Sequence, residues 1–257
     1  MKNFLTVIVR DIFAEIIATF VFFFITTYVQ ITIFDVPTSD KSNAFPADTN
    51  DVNAFLFKRV NHIILVTTFF VVVAVMGNAF IDICFCYLNP AVSIAACIAG
   101  HISIVKFICI VASQFISAFI GLLCCVWMTD SEESMNLELL PDNSNSIIKA
   151  FFGECLASII LSFTALQYDM KEFALNNTHN NRLACIYYGM AHSLILMSQM
   201  GRGFLNPLRI IVPFITNLDY ISLYFVLAQI LGAALIGLLK KFAFRQYTLS
   251  LSLESMS

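Results

Sequence analysis

Two short stretches of the chain share a Leu-Asn-Pro core, Tyr87-Leu88-Asn89-Pro90-Ala91 and Phe204-Leu205-Asn206-Pro207-Leu208, and Arg209 directly follows the second. Asn followed by Pro inside an apolar run is a helix start: the Asn side chain caps, and Pro suits the first helical position. Each stretch therefore puts a side-chain amide at a helix N-terminus, where the dipole is positive. Arg209 adds a permanent cation with five N–H donors. Two carboxylates, Glu15 in "AEIIATF" and Glu154 in "GECLASI", also sit in apolar runs. Ionisable groups in such surroundings are costly and mark function by default. This set is suited to hydrogen-bonding neutral guests and repelling cations, and not to making bonds. No nucleophile elbow, phosphate loop or metal-binding His pair is present, so enzymatic activity is not expected. Cys84 and Cys86, with Asp82 nearby, offer too few ligands for a metal, and no metal or cofactor is expected.

These groups need an apolar scaffold, and the composition supplies one. Of 257 residues 59% are hydrophobic and 12% charged, with mean hydropathy +0.84, more apolar surface than a soluble domain of this size requires. Six runs, at about 12–34, 60–81, 104–128, 148–168, 183–200 and 219–240, reach the roughly 20 residues of a membrane-spanning helix. Two further pieces, 89–99 and 206–216, are about 11 residues each, or roughly 16 Å as helix, half the hydrocarbon thickness. Each begins at an Asn-Pro and cannot span alone.

The halves repeat. Glu15 and Glu154 are in register, and each Asn-Pro is followed by a Gln on the next helix, Gln114 after Asn89 and Gln229 after Asn206. Three spans per half is an odd number, so the halves are inverted and their half-helices enter from opposite faces. The expectation is an all-α membrane protein forming one domain over 1–257: six transmembrane helices plus two re-entrant half-helices. Repeat one covers about 8–128 and repeat two about 148–240, with a tail over 241–257. Lys2, Arg10, Lys106, Lys171, Arg182, Lys240, Lys241 and Arg245 gather on the face holding both termini, which the positive-inside rule places in the cytoplasm. Asn176, heading a glycosylation sequon, would face the same way and stay unmodified. The eight cysteines lie in or beside apolar segments and read as buried thiols. Net charge is −3, which points away from nucleic acid as a partner.

With paired Asn-Pro half-helices, paired Glu and Gln, and an Arg after the second motif, the sequence resembles the aquaporin (major intrinsic protein) family over about residues 8–240. The resemblance implies a homotetrameric bundle in a plasma or intracellular membrane, surrounded by lipid, with one pore per subunit. It implies passive passage of water, with glycerol, urea and hydrogen peroxide as further neutral solutes, and exclusion of protons and ions. By the same resemblance Asn89, Pro90, Ala91, Asn206, Pro207 and Leu208 form the paired pore motifs, and Glu15 and Glu154 support the half-helices. Arg209 becomes the selectivity-filter arginine, accompanied by Phe69 and Gly203. On the fifth span, ungapped spacing selects Leu194; a two-residue insertion in "SQMGRG" would select His192 instead. Three departures from the family pattern stand out. Leu208 replaces a usual Ala where the half-helices abut, and would either force them apart or be absorbed by smaller neighbours. Phe85, Cys86 and Tyr87 replace a small turn, with Tyr87 narrowing the cytoplasmic mouth. Ile210 follows the filter Arg where glycerol channels typically carry Asp. The bulky departures keep open a rival role, a non-conducting relative acting in adhesion or membrane organisation.

Overall fold

A computed structural model describes residues 2–34, 52–129, 144–167, 178–198, 201–217 and 220–244. Most of the two acidic loops, the segment holding Asn176 and the tail from residue 245 lie outside the described residues. Among the described residues there are eight α-helices: α1 (Lys2–Phe34), α2 (Val52–Phe80), α3 (Pro90–Ala99), α4 (Ile104–Thr129), α5 (Ser144–Leu166), α6 (Thr178–Met197), α7 (Leu208–Asn217) and α8 (Ser222–Leu239). A π-helical turn, Lys240–Phe244, continues α8.

Five of these, α1, α2, α4, α5 and α8, contain stretches long and apolar enough to cross a membrane. The sixth long helix, α6, is less apolar because it opens on Thr-His-Asn-Asn-Arg. Its place in the bundle is fixed by α2, against which it runs antiparallel: Ser193 Oγ donates to the Val66 carbonyl, Gly189 meets Phe70, and Gly77 meets Cys185. The architecture is the expected one of six long helices and two short ones in inverted halves. The helix ends differ from the expected spans. α1 and α2 start well before positions 12 and 60, because backbone hydrogen bonding continues through polar residues after the apolar run has stopped.

Small residues set the crossings. A Cβ at Gly121 of α4 would stand 3.2 Å from Phe23 Cβ of α1, and one at Gly237 of α8 would stand 2.8 Å from the Ala95 carbonyl of α3. Gly232 of α8 lies directly against the Cys155 carbonyl of α5. Lipid tails give apolar helices little reason to associate, so close backbone approach must supply the packing. Gly232→Ala would force α5 and α8 apart. The expected cost is about 1–3 kcal/mol, read as a lower midpoint of thermal unfolding in detergent.

The outside of the bundle is apolar: Phe13, Trp127, Phe152 and Leu231 are exposed. The polar groups are inside. Glu15, Gln114, Glu154, Gln229, Asn89, Asn206 and His192 are all fully buried, which is where an inside-out protein holds its site.

Candidate functional site

The site starts with two turns that are images of each other. In each, the residue before the Asn has left-handed backbone, φ 58° at Leu88 and φ 59° at Leu205. That conformation costs a non-glycine residue about 1–2 kcal/mol and persists only where its surroundings enforce it. The enforcement is visible. Glu15 accepts from the Tyr87 and Leu88 backbone N–H at 3.1 and 2.7 Å, and from Gln114 Nε2 at 2.7 Å. Glu154 accepts from the Arg202, Phe204 and Leu205 backbone N–H at 2.8, 3.1 and 3.3 Å, and from Gln229 Nε2 at 2.7 Å. A buried carboxylate is tolerable when its lone pairs are filled this completely.

The Asn residues then do two things each. Their Oδ1 atoms cap the half-helices, accepting from Ala91 N at 2.9 Å and Leu208 N at 3.0 Å. Their Nδ2 atoms reach across. Asn89 donates to the Leu205 carbonyl and Asn206 to the Leu88 carbonyl, both at 2.7 Å. The N-termini of α3 and α7 therefore face each other, with their dipoles opposed and positive toward the centre. Each Nδ2 keeps a second N–H that these bonds do not use. Leu208 does not hold the half-helices apart. It is 1% exposed and belongs to the main buried core, and the crossed Asn bonds beside it close at 2.7 Å, so its bulk is accommodated.

Arg209, at the start of α7, lies over the Phe69 ring with Cζ 4.8 Å from the centroid. Its Nη1 donates to Thr26 Oγ1 at 3.3 Å, and its Nη2 donates to Gln30 Oε1. Phe22 packs edge-on against Phe69, with centroids 5.5 Å apart, and touches His192 at 6.2 Å. His192 is 1% exposed, and its Nδ1 is 3.0 Å from the Tyr188 carbonyl. Gly203 sits in the turn above, with φ 72° and Leu196 as the nearest side chain a Cβ would meet. Leu194 is not part of this group, which corrects the ungapped spacing. It is 62% exposed on the outer face of α6 and lines a groove with Ile160, Tyr187, Met190 and Ser198. Residues 192 and 194 lie about 200° apart around a helix, so a two-residue offset in the following loop decides which of them turns inward.

Toward the face that carries the α1 N-terminus, Phe85, Tyr87 and Tyr188 form a second aromatic group. Ring centroids are 5.3 Å apart for Phe85–Tyr87 and 5.7 Å for Phe85–Tyr188, and the Tyr188 hydroxyl donates to the Tyr87 carbonyl at 2.9 Å. The Tyr87 hydroxyl is buried without a protein partner. Cys84 and Cys86 lie beside it with sulfurs 3.8 Å apart, and the nearby carboxylate is Glu15, not Asp82. Asp82 pairs with Arg182 at 3.5 Å. Glu15 already accepts three N–H donors, and the two thiols point at the Asp11 and Ala14 carbonyls, so the cluster's groups are occupied in holding the turn.

A sequence profile of the major intrinsic protein family matches residues 4–240, nearly the whole chain and both turns. The chain belongs to that family. No curated protein matches it. Major intrinsic proteins are integral membrane channels for water or small solutes and not enzymes, and the geometry is in keeping with a channel: hydrogen-bond donors and dipoles converge at the bundle centre. Several residues here went unnoticed in the sequence: Phe22, Thr26, Gln30 and Tyr188. Glu15, Thr19, Phe22, Thr26 and Gln30 recur every three or four residues along α1, and that stripe of mostly polar positions in an apolar helix was the available signal.

Proposed function

We propose that this major intrinsic protein is a passive water channel whose filter is built from Phe69, His192, Gly203 and Arg209. The observation that carries the proposal is the crossed pair Asn89–Leu205 and Asn206–Leu88, which fixes two positive helix ends against each other in the bundle centre. A water molecule passing there accepts from the remaining Asn N–H bonds and turns its own hydrogens away. A chain of waters is thereby broken for proton transfer, and a cation meets an unfavourable field. With His192 in place of Leu194, the filter is more polar and narrower than the ungapped spacing implied, which favours water over glycerol. Homotetramer formation and cytoplasmic termini belong to the same proposal, resting on the family and on the charge distribution. The test is stopped-flow shrinkage of proteoliposomes under sucrose and then glycerol gradients. Fast water with slow glycerol is the expected result; rates equal to empty vesicles, with folded protein inserted, would remove conduction.

One observation favours a second reading. Phe85, Tyr87 and Tyr188 pack against one another toward the α1 N-terminus, and each is buried. On this reading the channel is held shut there. Tyr188→Ala removes the ring and the hydroxyl that ties it to the Tyr87 carbonyl. If the cluster is a closed gate, the variant conducts water at least about tenfold faster than wild type in the same vesicles. If the wild type is already open, the change stays below about twofold.

A further inference from the structure

We infer that Thr26 and Gln30 of α1 are positioning residues of the filter: they hold the Arg209 guanidinium against Phe69 and so set which neutral solutes pass. The inference rests on the water-channel reading above and assigns the filter two members outside the aromatic, loop and α7 positions.

The hydrogen-bond directions carry it. Thr26 is fully buried, and its hydroxyl has one hydrogen, which it donates to the Phe22 carbonyl at 2.7 Å. The oxygen lone pairs are left for Arg209 Nη1, so Thr26 can act toward the arginine only as an acceptor. One helical turn further on, Gln30 presents its carboxamide oxygen to Nη2. Two acceptors spaced i, i+4 on one helix face match the two ends of a planar guanidinium, and Phe69 closes its face. A fork held at two ends and stacked on a ring has one orientation, and the N–H bonds left over point where that orientation sends them.

The acceptors are also neutral. Arg209 is not a member of the ion pairs Arg10–Asp11, Lys106–Asp11 or Arg182–Asp82. The anchors themselves add no negative charge beside the guanidinium, whose acting carboxylate, Glu154, is bound by its own N–H donors and forms no ion pair with it, which is what a cation barrier needs. An acidic residue at position 26 or 30 would anchor equally well and remove the barrier.

The experiment measures water and glycerol permeability of wild type, Gln30→Leu, Thr26→Val and Gln30→Glu in matched proteoliposomes. Thr26→Val keeps the shape of the side chain and loses the acceptor, so it serves if Gln30→Leu folds poorly. The expected result is a glycerol-to-water ratio at least about threefold above wild type for the Leu and Val variants, because the guanidinium is free to swing from the pore. Gln30→Glu, which restores an acceptor, returns the ratio to within about twofold of wild type. A general loss of packing would lower both permeabilities together and would not be rescued. Ratios unchanged in both Leu and Val variants, with wild-type water flow, overturn the positioning role and leave the channel reading standing. A wild type that passes neither solute overturns the channel reading, and the positioning role with it.

Discussion

Glu154→Ala is expected to unfold the second half of the channel and to bring water permeability down to that of empty vesicles. The carboxylate accepts from three backbone N–H groups, those of Arg202, Phe204 and Leu205, and from Gln229 Nε2. The Arg202 bond is part-buried, but the other three lie in the bundle interior, where no bulk water can replace the lost oxygen. An orphaned buried donor costs about 1–3 kcal/mol, so three of them exceed what a typical single substitution removes. The damage is also directed. Leu205 is held at φ 59° by the N–H that Glu154 binds, and its carbonyl is the acceptor for Asn89. Releasing it lets the turn relax out of the left-handed region and takes away one of the two crossed bonds. Thermal unfolding followed by size-exclusion in detergent checks the prediction, beside Glu154→Gln. The Gln variant keeps one oxygen but sets an NH2 group against backbone donors, so it should fall between Ala and wild type. An Ala variant that unfolds within about 2 °C of wild type and still passes water would show that the turn is held by something else.

The turns were legible in the sequence because capping is local. Asn89 and Asn206 cap with their own side chains, Pro90 and Pro207 follow them, and nothing distant has to be known for that. The Glu–Gln pairing was legible for another reason: a polar residue in an apolar run must find a partner, and two such residues in register in both halves find each other. What failed was rotation. A helix in lipid is apolar on both faces, so hydropathy does not say which side of α6 turns inward. The length of the loop before Asn206 left both Leu194 and His192 open. The inward stripe of Ala184, Cys185, Tyr188, His192 and Ile195 and the outward stripe of Tyr187, Met190, Leu194 and Met197 differ in residue size and polarity, and that weak signal was the one to weigh. Leu208 illustrates a different limit. Whether its bulk separates or fills depends on what lies across the junction, and that is fixed by the tertiary packing of distant segments into one core.

Arg209→Val is expected to raise glycerol and urea permeability about tenfold while leaving water flow within about twofold of wild type. The guanidinium is the largest polar group against Phe69, and it occupies the space between that ring and α1. Val removes four heavy atoms net, widens the opening and leaves Phe69, Phe22 and His192 in place. Water crosses either opening in single file, so its rate changes little, whereas a solute larger than water is limited by the bore and gains most. The charge goes as well. Among the described residues Arg209 makes no contact ion pair, although the field of Glu154 reaches it, so its loss lowers the barrier to cations. Opposed half-helix dipoles remain as the second barrier. A proton leak in pH-dye-loaded vesicles should therefore rise measurably but stay well below that of a gramicidin-type pore. The crossed Asn bonds do not involve the Arg209 side chain, so stability should drop only by the loss of the ring contact and two hydrogen bonds, about 1–3 kcal/mol. Equal loss of water and glycerol flow would mean that Arg209 braces the bundle and does not sort solutes. Unchanged glycerol flow would move the selective constriction to the buried aromatic group of Phe85, Tyr87 and Tyr188 on the opposite half.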